Sequence, residues 1–347
     1  MSSQPFFAAR WETVFDRRLE KTFRRLGWRD SVIGYTGYGT TRRVRLMARV
    51  TLAPKHRPLA GALRDDNWRE RRGWRNFWSI SCVNRAARIQ VGQAQVHVVT
   101  DRGGYIDVAI SDHGLAPGWH HAVIETEDNR PTQARVLIVA DDVRFGLISD
   151  IDDTIISSHM PRPLLVAWNS LVVTESARQP VPGMARCYQQ ILHDHPGTPV
   201  FYVSTGAWNT FPFLNRFMQH RGFPSGPMLL SDWGPTNTGW FRSGPTHKLR
   251  ALRTLARDFP NIQWLLVGDD GQHDAAIYSQ FAREFPGAVR AIALRELNPV
   301  QQVLAHGSWY ERPAAPASGP GPLPPIVRGP NGDELWAHLQ PILDATS

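Results

Sequence analysis

Short apolar runs alternate with longer helical stretches after about residue 143, and this alternation constrains the fold most. Strands that are separated by crossover helices lie parallel, so the pattern predicts an α/β fold: an open parallel sheet with helices on both faces. The predicted strands are Phe145–Ile148, Val200–Val203, Trp264–Val267 and Val289–Ala293, and the predicted helices are Gly183–Leu192, Trp208–His220, Thr246–Phe259 and Asp274–Phe285.

The preceding region has the period of a half-buried sheet. Val44, Leu46, Ala48, Val50 and Leu52 alternate with mostly polar neighbours, which is typical of a strand. The spacing of further short runs predicts a small, mainly-β, sandwich-like domain of antiparallel strands. These runs are residues 89–91, 94–100, 105–110, 122–126 and 134–139, with a tight hairpin predicted at 101–104.

The two patterns divide the chain. A length of 347 residues exceeds the size of one ordinary core. We expect an N-terminal amphipathic helix (1–30, periodic over 6–28 and ended by Gly27), the sandwich-like domain (31–142) and the α/β domain (143–310). A Pro-rich linker and a short C-terminal helix (311–347, helical over 334–343) follow.

Composition excludes several classes of protein. No run approaches the roughly 18 apolar residues of a membrane-spanning helix, and charges interrupt the N-terminus where a secretory signal needs its apolar stretch. Two distant cysteines, Cys82 and Cys187, exclude a disulfide framework and a thiolate zinc site. We therefore expect a cytoplasmic protein, and peripheral contact with the inner membrane face is compatible with that location.

Polar side chains follow the predicted strands, where sites form in open α/β sheets. Asp150 and Asp152 follow the first strand, Ser204 the second, and Asp269 and Asp274 the third. One carboxylate of such a pair can attack phosphorus, and the other can donate and accept protons. An all-oxygen, strongly anionic set suits Mg²⁺, so we expect Asp150, the Asp152 carbonyl and Asp269 as ligands, with Asp274 supporting the site.

Lys248 begins a later predicted helix and is the third of only three lysines among 39 basic residues. With Ser204 it is predicted to hold phosphoryl oxygens, because a compact ammonium offsets transition-state charge. Taken singly, each motif has an ordinary alternative. The acidic turn at 150–154 could cap a helix, residues 204–206 could form a plain turn, and residues 268–274 could bind calcium, although the spacing departs from an EF-hand.

The order of these motifs resembles the haloacid dehalogenase superfamily. A closer resemblance, over about residues 140–300, is to the catalytic domain of the actin-patch-associated phosphatidate phosphatases and their bacterial relatives. The quoted segments are LISDIDDTI (147–155), VSTGAWN (203–209), FPSGPMLLSDWG (223–234), HKL (247–249) and VGDDGQHDAAIY (267–278).

The resemblance implies Mg²⁺-dependent removal of phosphate from phosphatidate, with Asp150 as nucleophile and Asp152 as acid/base. The chain departs from the family pattern at Ser231, where a basic residue is expected, and at Thr205-Gly206. Residues beside the motifs are predicted to bind substrate, namely Thr154, Thr205, Gly206, Trp208, Asn209, Trp233 and Trp240.

The distribution of charged residues along the chain indicates which kind of partner it binds. Residues 1–140 hold 23 basic and 13 acidic residues, whereas the rest hold 16 and 18. The basic part, with the Arg/Trp insert at 62–78, favours contact with an anionic membrane; the alternative is that arginine is simply this chain's usual surface charge. The alternatives are packing of helix 6–28 and the insert on the sandwich, a phosphatase for soluble or nucleic-acid-end esters, and a non-catalytic binding protein. No nucleic-acid module is recognised, so phosphatidate is the expected partner.

Overall fold

The computed structural model describes residues 20–54, 80–157, 179–231, 244–271, 273–297 and 323–345. Among them, residues up to 141 form one compact unit and residues from 142 onward form a second. The insert at 62–78, most of the predicted N-terminal helix and the Pro-rich stretch up to 322 lie outside the described residues. No helix in the described ranges is long and apolar enough to cross a membrane.

The first unit is β-rich, as predicted, and its described strands join into one nine-stranded sheet. The long third strand shows why: alternate residues Val44, Leu46, Ala48 and Val50 are fully buried in one core. The strands are β1 (Trp28–Gly34), β2 (Gly37–Thr40), β3 (Arg43–Pro54), β4 (Ile80–Ser81), β5 (Ala86–Val91), β6 (Ala94–Val99), β7 (Tyr105–Ser111), β8 (Gly118–Thr126) and β9 (Thr132–Val139).

Two expectations for this unit need correction. The strands are not all antiparallel, because β2 pairs with β9 in parallel. The predicted hairpin at 101–104 is a turn, in which Asp101 Oδ1 accepts hydrogen bonds from the N–H groups of Gly103 and Tyr105. It does not form a hairpin, because β6 pairs with β5 whereas β7 pairs with β3 along its whole length.

The N-terminal helix ends beside Gly27. Residues 20–25 are helical, and Gly27 adopts a left-handed conformation (φ 86°) that ends the helix, as its sequence position suggested. Trp28 belongs to β1 instead of the helix, because it pairs with Pro54 of β3. Phe23 packs against the sheet core and Arg24 donates to Asp30, so these two residues face protein. Packing on the sheet is therefore observed for these two side chains, whereas Leu26 is 70% exposed.

The second unit has the α/β fold that the alternation predicts. Its six-stranded sheet is parallel throughout, in the order β14-β13-β10-β15-β16-β17. The strands are β10 (Phe145–Ser149), β13 (Val200–Ala207), β14 (Met228–Ser231), β15 (Gln263–Asp269), β16 (Val289–Arg295) and β17 (Ile326–Gly329), and a short pair, β11 (Ile156–Ser157) and β12 (Gln179–Pro180), follows β10. The helices are α1 (Met184–Asp194), α2 (Phe211–His220), α3 (Gly244–Asp258), α4 (Asp274–Glu284) and α5 (Gly332–Asp344).

The C-terminal segment corrects the predicted linker. Ile326–Gly329 form β17, which extends the sheet beside β16. Helix α5 follows at once, and the Asn331 side chain accepts hydrogen bonds from the N–H groups of Asp333 and Glu334 at its start. Residues 323–345 therefore belong to the α/β unit instead of a linker and a separate short helix.

The strand order places the candidate site. The chain forms β10 first, adds β13 and β14 on one side, and then crosses to β15 on the other side. The side of the sheet on which successive strands are added therefore changes at β10. Ligands of open α/β sheets bind at the carboxyl ends of the strands beside such a change.

Candidate active site

Asp150 is the residue directly after the central strand β10. Its backbone N–H donates to the carbonyl of Val267 in β15, at 2.8 Å, which holds it at the sheet edge. The side chain is only 2% exposed. Its Oδ1 atom lies 2.7 Å from Lys248 Nζ, and its Oδ2 atom accepts a longer bond of 3.3 Å from Thr154 Oγ1. Asp150 is thus a buried carboxylate with one oxygen committed to an ammonium group.

Lys248, near the start of α3, bridges two carboxylates. Its Nζ atom lies 2.6 Å from Asp274 Oδ1 in addition to the contact with Asp150. Burial alone lowers the pKa of Lys248, but the neighbouring Asp150, Asp274 and Asp269 carboxylates outweigh burial and raise it. The side chain is therefore a buried cation, and it lies where the sequence placed it beside the predicted nucleophile.

The turn after β15 brings Asp269 and Asp274 together. The N–H of Asp269 donates to Asp274 Oδ2 at 3.3 Å, and Asp269 Oδ1 accepts from the N–H of Gly271 at 2.6 Å. The two glycines of this turn leave room for the carboxylates. A Cβ atom at Gly271 would lie 2.5 Å from Asp269 Oδ1, and one at Gly268 would collide with Asp274 Oδ2.

Three of these carboxylates form a cluster that fits a divalent cation. Asp150, Asp269 and Asp274 each offer an oxygen, and these oxygens lie within 4.8 Å of one another. Burial raises the pKa of Asp150 well above its usual range. Lys248 lowers this pKa, and the carboxylates of Asp274, Asp152 and Asp269 raise it further. Burial and then Asp274 raise the pKa of Asp269 to about 8. One ammonium does not neutralise the cluster, and hard oxygen ligands suit Mg²⁺.

Asp152 lies apart from this cluster. Its side chain is exposed, and its Oδ2 atom accepts a 2.8 Å hydrogen bond from Ser204 Oγ. Ser204 Oγ in turn accepts from the N–H of Gly206 at 2.9 Å. The predicted catalytic groups of β10 and β13 are therefore in contact, while the carboxylate of Asp152 points to a different set of partners from that of Asp150. A metal contact through the Asp152 carbonyl stays a prediction.

The end of β13 and the residues after it include several predicted substrate residues. Thr205 and Gly206 lie in β13, and Ser231, at the end of β14, donates to the carbonyl of Thr205 at 2.5 Å. Trp208 is only 4% exposed, and its role in lining the substrate site stays a prediction. Asn209 Oδ1 is buried and has no hydrogen-bond partner among the described residues, so this acceptor is available. Trp233 and Trp240 lie outside the described residues.

The sequence interpretation overlooked Arg295, the last residue of β16. Its guanidinium is buried at the same sheet edge, and Nη1 donates to the carbonyl of Asp153 at 2.6 Å. A signal was present, because the inspection of strand ends that found Asp150, Ser204 and Asp269 would have reached Arg295 if it had been extended to the fourth strand.

Comparisons with known proteins place the similarity in the α/β unit. Residues 145–296 match the family described as phosphatidate phosphatase APP1, catalytic domain. Phosphatidate phosphatase APP1 of Saccharomyces cerevisiae is 31% identical over 152 residues, which are 44% of this chain and 26% of that protein. An uncharacterized protein of Schizosaccharomyces pombe is 22% identical over 154 residues, which are 44% of this chain and 25% of that protein.

These alignments span about a quarter of the length of the curated relatives. Among solved structures, a carbohydrate acetylesterase from Xanthomonas citri aligns with 78% of this chain and 70% of its own, at 10% identity and a TM-score of 0.27. A score this low carries no argument about fold or function.

Proposed function

We propose that this chain is a Mg²⁺-dependent phosphatase of the haloacid dehalogenase type that hydrolyses phosphatidate to diacylglycerol and phosphate through a phosphoaspartate on Asp150. The observation that carries the proposal is the ion pair of buried Asp150 with Lys248, at the carboxyl end of the central strand. The segment around it is similar to the catalytic domain of a protein named phosphatidate phosphatase. Similarity in that segment supports both the reaction class and the substrate.

In the first step, an Asp150 oxygen attacks phosphorus and the bond between phosphorus and the ester oxygen breaks. Asp150 Oδ2 suits this role better than Oδ1, because Oδ1 is held by Lys248 whereas Oδ2 receives only the longer Thr154 bond. Asp152 donates a proton to the departing alcohol oxygen. An exposed carboxylate two residues after the nucleophile can reach that oxygen without leaving its loop.

In the second step, water attacks the phosphoaspartate. Asp152, now ionised, accepts a proton from that water, the bond between phosphorus and Asp150 breaks, and phosphate leaves. Asp150 recovers its carboxylate and Asp152 its proton, so the enzyme is unchanged at the end of the cycle.

Cations and donors around Asp150 stabilise the charge that develops on the phosphoryl oxygens. Lys248 supplies an ammonium beside Asp150, and Ser204 supplies a hydroxyl that can turn from Asp152 to a phosphoryl oxygen. Asp150, Asp269 and Asp274 would hold Mg²⁺, which offsets negative charge on the phosphoryl group when bound. Lys248 and Mg²⁺ together would balance the acidic cluster.

Because phosphatidate resides in membranes, the proposal includes peripheral contact with an anionic membrane. The described part of the N-terminal helix limits which side chains can make this contact. Phe23 and Arg24 are engaged with the β-rich unit, so contact through those two side chains would require them to leave their partners. The Arg/Trp insert, which the sequence favours for this contact, lies outside the described residues.

The test measures phosphate release by wild type and Asp150→Asn, with and without Mg²⁺. Phosphatidate in mixed micelles and a soluble aryl phosphate serve as parallel substrates. We expect Mg²⁺-dependent turnover of phosphatidate that falls by about 10³-fold or more in the variant, because the nucleophile is lost. Asp194→Asn is the matched control, since Asp194 is an exposed carboxylate at the end of α1.

The two substrates separate the outcomes. Turnover of the soluble ester alone would retain the mechanism and reject the lipid. Equal turnover by wild type and Asp150→Asn would reject the mechanism. Failure of both substrates and of a broad phosphate-ester panel would favour a binding protein.

A further inference from the structure

Arg295 is a buried cation beside the candidate site, and the mechanism proposed above gives it no role. Arg295 lies at the carboxyl end of β16 and is 5% exposed. Its Nη1 atom donates to the carbonyl of Asp153 at 2.6 Å, and its Nε atom donates to the carbonyl of Pro330 at 3.4 Å. One planar guanidinium therefore contacts both the loop that carries Asp150 and Asp152 and the segment that joins β17 to α5.

The contact with Asp153 falls at the most constrained point of the loop. Asp153 has φ 58°, a left-handed conformation that non-glycine residues adopt at a cost. Such a conformation persists where its surroundings hold it. Here the N–H of Asp153 donates to the carbonyl of Ile156 at 2.8 Å, and the carbonyl of Asp153 accepts from Arg295. Both polar groups of this peptide position are thus engaged, immediately after the predicted acid/base Asp152.

The main chain of Arg295 holds the other acidic turn. Its carbonyl accepts a 2.9 Å hydrogen bond from the N–H of Asp270, and its position in β16 is paired with Asp269 of β15. Side chain and backbone of one residue therefore contact the loop after β10 and the loop after β15. Two of the three carboxylates of the cluster, Asp150 and Asp269, lie in or directly before these loops, and the third, Asp274, lies at the start of α4.

The third partner of Arg295 lies outside the segment that the known family covers. Pro330 precedes α5, whereas the family match ends at residue 296. This C-terminal segment is also fixed to the N-terminal side of α1, because the N–H of Gly332 donates to the carbonyl of Pro182 at 2.9 Å. Arg295 thus joins the catalytic loop to a part of the sheet that the similarity does not describe.

We propose that Arg295 is a positioning residue that fixes the Asp150–Ile156 loop and ties it to the C-terminal segment 323–345. The inference rests on the proposed function for its consequence in catalysis. Arginine suits the position because its rigid fork can donate in two directions at once, which the single ammonium of lysine does not do with the same geometry.

The competing explanation is that Arg295 only stabilises the fold, and the same strand offers a matched control. Arg290, also in β16, donates from Nη2 to the carbonyls of Ile342 and Leu343 at 3.0 and 3.3 Å. It therefore makes the same kind of contact, guanidinium to main-chain carbonyls, with the same C-terminal segment. It makes that contact near the other end of the strand, away from the carboxyl edge that carries Asp150.

The experiment compares Arg295→Met, Arg295→Lys and Arg290→Met in the full-length chain. Steady-state phosphatase assays give kcat and KM, and amide hydrogen exchange of the peptide 150–157 reports loop order whether or not the chain is active. We expect Arg295→Met to lower kcat about 100-fold with KM changed less than about threefold, because misplacement of a catalytic group costs rate more than binding. Exchange in the 150–157 peptide should accelerate roughly tenfold.

Arg290→Met should leave both readouts within about twofold of wild type, and Arg295→Lys should recover only part of the loss. Unchanged exchange in Arg295→Met, or equal effects of Arg295→Met and Arg290→Met, would overturn the proposal. So would failure of both Arg295 variants to fold while Arg290→Met folds, since the residue would then be structural. If wild type hydrolyses no phosphate ester, the proposed function fails, and the exchange data still decide whether Arg295 orders the loop.

Discussion

Removal of the ammonium group of Lys248 tests the electrostatic account of the candidate site. Lys248→Met keeps an unbranched side chain but deletes the charge that lies 2.7 Å from Asp150 Oδ1 and 2.6 Å from Asp274 Oδ1. Both carboxylates are buried, so neither can recover the lost interaction from water. Deletion of one partner of a buried ion pair lowers the free energy of unfolding by about 3–5 kcal/mol. We expect a loss of that size for metal-free protein at pH 8.

The size of the loss should depend on pH, and the sign follows from the direction of the pKa shift. Burial already raises the pKa of Asp150, and Lys248 is the group that lowers it, so the variant's pKa is higher still. A carboxyl group with a raised pKa holds a proton in the folded state that the unfolded chain has released. Stability of the variant therefore falls as pH rises from about 4 through that raised pKa. The loss should be clearly smaller at pH 5.5 than at pH 8.

Urea unfolding at both pH values, with a chelator present, measures this effect. Lys21→Met is the matched control, because Lys21 is exposed and its substitution should change the free energy of unfolding by at most about 0.5 kcal/mol. A loss in Lys248→Met equal to that of the control, or identical at pH 5.5 and pH 8, would refute the argument that Lys248 balances Asp150 and Asp274.

Three further predictions concern the acidic turn and the β-rich unit. Because the pKa of Asp269 is raised to about 8 and metal ligands bind as ionised groups, Mg²⁺ should raise Tm more at pH 8.5 than at pH 5.5; equal shifts would contradict this ligand. Gly268→Ala should lose about 1–3 kcal/mol in urea unfolding, because its Cβ would collide with Asp274, and an unchanged midpoint would refute that geometry. Asp30→Asn should lose about 3–5 kcal/mol, because the Asp30 carboxylate lies 2.6 Å from both Arg24 and Arg85; a loss below about 1 kcal/mol would show that this ion cluster is dispensable.

Hydrophobic pattern predicted four of the six strands of this sheet, β10, β13, β15 and β16, because each contains an apolar run in a sheet covered by protein, and it missed β14 and β17. It placed the ends of these four strands too early, and three of them, β10, β15 and β16, end in a polar residue. Ser149, Asp269 and Arg295 continue the hydrogen-bonded ladder after the apolar pattern has stopped. The strand residues that the apolar pattern left out are therefore the ones that lie at the edge of the candidate site.

Composition misled the prediction for β17. Pro324, Pro325 and Pro330 flank Ile326–Gly329, and a Pro-rich stretch is typical of a linker. Proline has no N–H group to donate, which restricts it in central strands but allows it beside an edge strand. The described β17 pairs with β16 on one side, at the end of the strand order. Residues 326–329 are a strand because they pair with β16, and no local feature of the sequence identifies that pairing.

Spacing predicted which residues meet at the sheet edge, but not how their contacts divide. Asp150 and Asp152 lie two residues apart and were both expected among the metal ligands, the second through its carbonyl. In the structure the left-handed Asp153 lies directly after Asp152, whose carboxylate accepts from Ser204, while that of Asp150 faces Lys248. This separation suits the proposed roles, because the proposed nucleophile is held in the charged cluster whereas the proposed proton donor is exposed to solvent.

Arg295 shows that the sequence could indicate the position of a residue at this edge but not its contacts. Motifs are recognised through side chains that react, ligate or pair with charge, and the Asp150–Lys248 pair has that form. The described hydrogen bonds of the Arg295 side chain go to the main-chain carbonyls of Asp153 and Pro330. Every residue type has such a carbonyl, so these acceptors do not require a particular amino acid. Either partner could be replaced in sequence without loss of the acceptor. The contacts of a residue that orders a site through the backbone therefore cannot be inferred from a single sequence. The fold reveals them here, because it places the end of β16 beside the loop after β10.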